Sequence, residues 1–226
     1  MDRYQRNMNA LSPEENKRLR DFHVVVVGCG GLGGYIIEML ARLGIGTLTV
    51  IDGDIFDETN LNRQLLSSEA NLGTPKVQAA VDRLSLVNSQ TKVNPIHGLL
   101  TSENGLEMIV GKDLVFDALD NVSTRLILED LCETAGVPLV HGAIAGWFGQ
   151  VSVILPGDRT LHSILPEGVN KGIETELGNP AFTPALVASI QVAEGIKVLL
   201  RREGILQNKL LTIDLLNQEY EVLSLQ

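Results

Sequence analysis

The sequence predicts an α/β fold, a doubly wound mixed sheet with helices on both faces, and three observations carry that expectation. Residues 23 to 34, His-Val-Val-Val-Val-Gly-Cys-Gly-Gly-Leu-Gly-Gly, join a wholly apolar, β-branched run to a glycine turn. That pattern suits a strand buried on both faces of a parallel sheet and leading into a helix. From there to residue 141 strand-like and helix-like stretches alternate, which implies a parallel, right-handed arrangement. Beyond Gly142 the alternation stops, so antiparallel strands are expected in the C-terminal part.

Residues 1–20 read as an N-terminal arm and helix. Positions 1 to 10 are polar and carry Arg3 and Arg6, and such an arm frays unless it docks. Ser12-Pro13-Glu14-Glu15 is a capping box that starts a short helix running to about Arg20. After the valine strand, a helix begins at about Gly31 to Leu32 and runs to Leu43, where Gly44-Ile45-Gly46 supplies a glycine C-cap. The second strand, Thr47 to Ile51, ends at Asp52. Gly53 to Gly73 is a long polar excursion, the place where an open α/β sheet keeps its ligand chemistry. Thr74-Pro75 is expected to cap a helix to about Val87. Lys92 to Ile96 is a third strand, Leu106 to Val110 a short helix, and Leu114 to Leu119 a fourth strand ending at Asp120-Asn121. Ser123 is expected to cap a helix to about Ala135, and Val137 to His141 is the fifth strand. Gln150 to Leu155 is a strand without a helix before it. Residues 157–179 are glycine- and charge-rich without periodicity, longer than a connector needs, and are expected to form a mobile crossover segment. Pro184 to Arg201 is one helix. Leu210 to Leu215 and Tyr220 to Leu225 flank Asn217-Gln218 as a closing hairpin. There is no internal repeat and no linker, so residues 1–226 read as a single domain.

Composition narrows the function. No stretch approaches the roughly 18 to 20 consecutive apolar residues of a membrane span, and the start lacks the apolar core of a signal peptide, so a cytoplasmic chain without a membrane partner is expected. The net charge of −10 disfavours a phosphate backbone, so no nucleic acid is expected as main partner. Cys29 and Cys132 are the only cysteines, too few for a disulfide framework or a four-cysteine zinc site.

The chemistry-bearing residues lie at strand ends. Gly28, Gly30 and Gly33 reproduce the Rossmann-like G-x-G-x-x-G, in which the first glycine turns, the second admits a phosphate and the third lets helix press on strand. The helix N-terminus behind them favours an anion. Alone, a glycine turn kept for packing would look the same. Asp52 follows Gly33 by nineteen positions, where a carboxylate can accept ribose hydroxyls or simply be solvated. Asn60, Arg63 and Gln64 supply more cationic and amide character than a dinucleotide needs and suit a triphosphate. Lys76 sits in the first turn of its helix, where a cation opposes the macrodipole, so an anionic partner is the natural compensation. Asp120 is placed as a hard-oxygen anchor for a largely hydrated Mg²⁺. His97, His141 and His162 have no cysteine or carboxylate at ligand spacing and read as structural groups, and Trp147 and Phe148 read as packing.

In order and spacing, Arg3-Tyr4-Gln5-Arg6-Asn7, Gly28-Cys29-Gly30-Gly31-Leu32-Gly33, Asp52-Gly53-Asp54, Asn60-Leu61-Asn62-Arg63-Gln64, Pro75-Lys76-Val77 and Asp120-Asn121 resemble the MoeB/ThiF/HesA adenylyltransferases, bacterial relatives of the ubiquitin-activating enzymes. The resemblance runs from Arg3 to about Leu200. It implies ATP rather than NAD, Mg²⁺, a homodimer, and as partner a small ubiquitin-like sulfur-carrier protein (ThiS/MoaD-like). The carrier's C-terminal carboxylate would become an acyl-adenylate with release of pyrophosphate. By motif, Gly28, Gly30, Gly31 and Gly33 would form the nucleotide cradle and Asp52 would hold ribose. Asn60, Arg63, Gln64 and Lys76 would hold the triphosphate, Asp120 the Mg²⁺, and Arg6 would reach across a dimer into the partner's site.

Two departures bear on chemistry. Many such relatives carry two Cys-x-x-Cys zinc pairs; here the first region reads Thr160-Leu161-His162-Ser163-Ile164-Leu165, so no zinc is expected. Some carry a cysteine in the crossover before the last long helix, whereas Gly168 to Pro184 contains none, so the chemistry is expected to stop at the adenylate. The competing readings are a tRNA threonylcarbamoyladenosine dehydratase-like enzyme, a non-catalytic nucleotide-bound scaffold, and an NAD oxidoreductase. The acidic net charge, the full set of Asn60, Arg63, Lys76 and Asp120, and the lack of a separate substrate domain count against them in turn.

Overall fold

A computed structural model describes residues 2–165 and 174–225. His23–Val27 (β1) pairs parallel with Thr47–Asp52 (β2) on one side and Leu114–Asp117 (β4) on the other. Lys92–His97 (β3) adds to β2, and Leu139–Ala145 (β5) adds to β4, both parallel. Phe148–Ile154 (β6), Lys209–Asp214 (β7) and Glu219–Ser224 (β8) follow antiparallel, giving the order β3-β2-β1-β4-β5-β6-β7-β8.

The valine run shows why the sheet is buried on both sides. Side chains alternate across a strand. Val24 and Val26 join the core under Gly31–Leu43 (α2), Lys76–Val87 (α3) and Phe182–Leu200 (α8), while Val25 and Val27 join the core under Gly105–Ile109 (α4) and Val122–Ala135 (α5). α8 crosses close above the sheet because Gly195 faces Phe116, where a β-carbon would stand 2.3 Å from the ring. By length and composition α8 could cross a membrane, contrary to the expectation that no stretch could. Yet 61% of that window is buried against the sheet, and it contains Gln191 and Glu194, so it serves as a core helix.

Several boundaries differ from expectation for local reasons. The first helix, Pro13–Arg18 (α1), has its capping box, then tightens into a 3-10 turn at Leu19–Asp21. Thr74 does not cap α3: Pro75 occupies the N-cap without a side-chain bond, held by the Ile55–Pro75 bridge. Asn121, not Ser123, caps α5, its Oδ1 accepting the Thr124 N–H at 2.8 Å. β4 stops at Asp117, so Asp120 stands in the turn rather than on the strand. β5 continues past His141 to Ala145 and meets β6 through a two-residue turn, where Gly146 has φ 57°. Residues 157–179 are not wholly irregular, since Thr160–Ile164 (α6) and Glu174–Leu177 (α7) are helical; residues 166–173 of the expected mobile segment lie outside the described ones.

The arm docks on its own chain. Asp2–Asn7 is a 3-10 helix whose Tyr4 is buried in a slot beside Gly44, where a β-carbon would stand 2.7 Å from the ring. The Tyr4 hydroxyl accepts from Asn88 Nδ2 at 2.8 Å, Arg3 bonds to Asn88 Oδ1, and the Arg20 guanidinium stands over the Tyr4 ring. In the first turn of α1, Glu15 receives Arg202, which holds the Glu15 carboxyl down to about 2 from an ordinary 4.5. The unfolded chain therefore binds the extra proton between those values, and this pair's contribution is full above pH 4.5 and lost on acidification toward 2. Glu15→Gln is expected to flatten the fall of melting temperature across that window, and an unchanged slope would refute the link.

Candidate functional site

A cavity of about 660 Å³ opens at the carboxyl ends of β1, β2 and β4, within the size range of small-molecule sites. Its floor is the glycine turn. Gly28 has φ 99° and lies so close to β4 that a β-carbon would be 2.4 Å from the Ala118 carbonyl oxygen, and Gly30 and Gly31 open onto the cavity at the start of α2. Gly33 does not line it. A β-carbon there would sit 1.8 Å from the Gly28 carbonyl oxygen, so this glycine serves helix-to-turn packing.

Asp52 is aimed by the backbone around it. The Cys29 N–H donates to its Oδ2 at 2.7 Å and the Asp54 N–H to its Oδ1 at 2.8 Å, which leaves lone pairs on both oxygens for further donors. Arg63 and Gln64 reach the wall from the polar excursion. Arg63 Nη1 donates to the Thr59 carbonyl at 3.0 Å and to Asn62 Oδ1 at 2.8 Å, while Gln64 is buried with Oε1 unpartnered. A buried amide without a partner at a cavity wall is poised to take one from a ligand. Asn60 is placed differently. Its amide bonds to Asp57 and Thr59, closing the 3-10 turn Glu58–Asn60, and it does not line the cavity.

Lys76 is a buried cation of the site, its side chain 8% exposed, and Nζ lies 2.8 Å from Asp54 Oδ2, a carboxylate 67% exposed. The expectation that an anionic ligand compensates this lysine therefore needs correcting for the free protein, where Asp54 does so. The doublet Asp52-Gly53-Asp54 shows both carboxylates, but nothing local marks which one meets the lysine.

Asp120 lines the opposite rim, exposed, its described bond a long 3.4 Å one from Asn121 Nδ2. Such a carboxylate has free lone pairs and fits a hydrated hard cation. Arg125, which ends the stretch Asp120-Asn121-Val122-Ser123-Thr124-Arg125, is a wall residue as well. Arg6 is exposed on the docked arm and does not line its own chain's cavity.

His97 bonds to the Gly53 carbonyl, whereas His141 and His162 do have carboxylate partners, supplied by other elements. His141 Nδ1 meets the fully buried Asp117 at 2.7 Å, and His162 bonds to the buried Glu129 beneath α6. Trp147 packs on Phe182, ring centroids 4.4 Å apart. Both thiols are buried: burial first, then the Asp52 charge, pushes Cys29 far above the ordinary range, and burial with Asp117 and Glu129 does the same to Cys132. Neither is a thiolate near neutral pH.

Comparison with known proteins shows the family of the chain. A protein from Haloferax volcanii named SAMP-activating enzyme E1 is 36% identical over 226 residues, spanning 98% of this chain and 84% of that one. The sulfur carrier protein adenylyltransferase of Thermus thermophilus is 36% identical over 239 residues, spanning 100% and 88%. The molybdopterin-synthase adenylyltransferase of Escherichia coli is 35% identical over 206 residues, spanning 88% and 82%. Among solved structures, E. coli MccB with ATP superposes with a TM-score of 0.83 at 22% identity, covering 100% of this chain and 72% of that one, a likeness of fold. Residues 4–226 match the ThiF family, and with that match the glycine turn, Asp52, Arg63, Lys76 and Asp120 gathered around one cavity place this chain in the ThiF family.

Proposed function

We propose that this protein uses ATP to convert the C-terminal carboxylate of a small ubiquitin-like sulfur-carrier protein into an acyl-adenylate, releasing pyrophosphate. The observation that carries the reading is the convergence of a helix N-terminus and two cations, Arg63 and Lys76, on a single cavity at the strand ends. Carboxylate attack on an α-phosphate brings two anions together, so the work is charge neutralisation and alignment, and no general base is required. The N–H groups behind Gly30 and Gly31, with Arg63 and Lys76, would take the phosphates. Asp52 would orient ribose, and Gln64 would give its unpaired oxygen to a ligand donor. Mg²⁺, held at Asp120, would supply further neutralisation of phosphate charge.

The protein acts in the cytoplasm as a homodimer in which Arg6 serves the neighbouring subunit. It needs no zinc, and the buried thiols leave any later sulfur step to another protein. Pyrophosphate exchange into ATP, measured with a panel of purified carriers, tests the reading. Exchange is expected only with a carrier that has a free C-terminal carboxylate. A protein that binds ATP yet supports no exchange with any carrier overturns it.

The Lys76–Asp54 pair makes a further prediction. An incoming triphosphate competes with Asp54 for the ammonium, so Asp54→Asn is expected to tighten a non-hydrolysable ATP analogue by about threefold, in line with the modest worth of a half-solvated ion pair. Titration of a fluorescent analogue checks this. In a Lys76→Met background the gain should vanish, and a gain that persists would mean that mere loss of negative charge is responsible.

A further inference from the structure

Ala118 and Leu119 separate Asp117, at the end of β4, from Asp120 at the cavity rim, and the chain between them is gripped from two sides. Asp117 is fully buried. Its Oδ1 accepts the Leu119 N–H at 2.9 Å, and its Oδ2 meets His141 Nδ1 at 2.7 Å. Arg125, in the first turn of α5, donates from Nη2 to the Leu119 carbonyl at 2.6 Å and keeps Nε 3.6 Å from Asp117 Oδ2. Both peptide groups of Leu119 are thus held, one by the aspartate and one by the arginine that faces it. Immediately after Asp120, Asn121 is fixed as the N-cap of α5. Asp120 lies between two immobilised neighbours, with its own carboxylate left over for a ligand.

Stability alone does not account for this arrangement. The Arg125 side chain is 11% exposed and its Nε is buried without a hydrogen-bond partner. A buried arginine–aspartate pair gains little over apolar packing once desolvation is counted. It does offer a defined geometry, and a metal ligand gains from having its backbone set in advance.

We propose that Arg125, acting with Asp117, is a positioning residue that sets the Asp120 carboxylate to receive a divalent cation. This rests on the reading of Asp120 as the Mg²⁺ anchor given above. Arg125 does not itself touch the metal; it holds the Leu119 carbonyl and so the peptide from which Asp120 projects.

The test measures metal binding directly, with Mn²⁺ as the probe. Mn²⁺ is titrated into the complex of the protein with a non-hydrolysable ATP analogue, and bound ion is read from loss of the free-ion electron paramagnetic resonance signal against a protein-free control. Arg125→Ala is expected to weaken Mn²⁺ binding by about tenfold or more, the usual cost of losing a group that orients a ligand. Binding of the analogue in EDTA should stay within about twofold, because the arginine acts through Asp120 and not on the nucleotide. Arg125→Lys, which keeps the charge opposite Asp117 but not the planar fork, should fall between. If Arg125→Ala does not fold, judged by melting temperature, Arg125→Lys decides in its place: unchanged Mn²⁺ affinity there overturns the proposal. Asp120→Ala separates the two readings. If Asp120→Ala leaves Mn²⁺ affinity intact, the anchor reading fails and takes this proposal with it. If Asp120→Ala weakens Mn²⁺ while the Arg125 variants do not, only the positioning role is lost. An equal loss of analogue binding in EDTA would make Arg125 a nucleotide contact and overturn the proposal as well.

Discussion

Arg6→Ala is expected to lower carrier adenylation by about 10³-fold, the scale of an arginine that meets transferring phosphoryl charge, while leaving the melting transition in place. The arginine is exposed on the docked arm and does not line its own cavity, so nothing in the subunit's own fold depends on it. In a two-fold dimer each arm has the same target on the other subunit. The decisive form of the experiment mixes Arg6→Ala with Asp120→Ala, each inactive alone, and lets subunits exchange. A heterodimer then has one site with its own Asp120 and an intact Arg6 from the partner, and activity returns to at most half of the wild-type value per dimer. Were Arg6 to act within its own chain, every site would lack one residue. No recovery, with exchange shown independently, rejects the trans assignment.

Gly33→Ala is expected to be among the most damaging single methyls in the chain. The added carbon would stand 1.8 Å from the Gly28 carbonyl oxygen, backbone that no side-chain rotation can relieve. Either α2 lifts from the turn or the turn opens. The cost should be about 3 kcal/mol or more, roughly 6–12 °C in melting temperature for a chain of this size. Nucleotide affinity should fall with it, because the same turn floors the cavity. Gly31→Ala is the internal comparison: its β-carbon would meet Pro184 at an ordinary 3.6 Å, so the melting temperature should hardly move. Equal shifts for the two variants would refute the packing argument.

What could be read from the sequence was what depends on neighbours in the chain. The four valines alternate between the two cores as a doubly buried strand must, and the glycine spacing places the turn and the helix start. The Ser12 capping box is local and is present. The missed features are tertiary. Asn60 is the local exception, its amide engaged in a turn by Asp57 three positions before it. Lys76 looks unpaired because Asp54 lies 22 positions away. His141 and His162 find carboxylates 24 and 33 positions distant, on other elements. The β5–β6 hairpin was hidden because Gly142 and Gly149 weaken the strand signal on both sides of its turn. Each is glycine for packing, where a β-carbon would strike Gln191 and Val187 of α8.

The seat of Tyr4 bears on the order in which the chain assembles. Its slot is made by Gly44, which closes α2, and by Asn88, 84 residues downstream, whose Nδ2 also donates to the Ala41 carbonyl. The arm is translated ahead of its slot, yet it has nothing to bind until residue 88 has been made and α2 and α3 have come together. A contact of such long sequence separation bears a large closure entropy and forms late. The first residues of the chain are therefore among the last to settle, and a seated Tyr4 marks a subunit whose α2–α3 layer is already built.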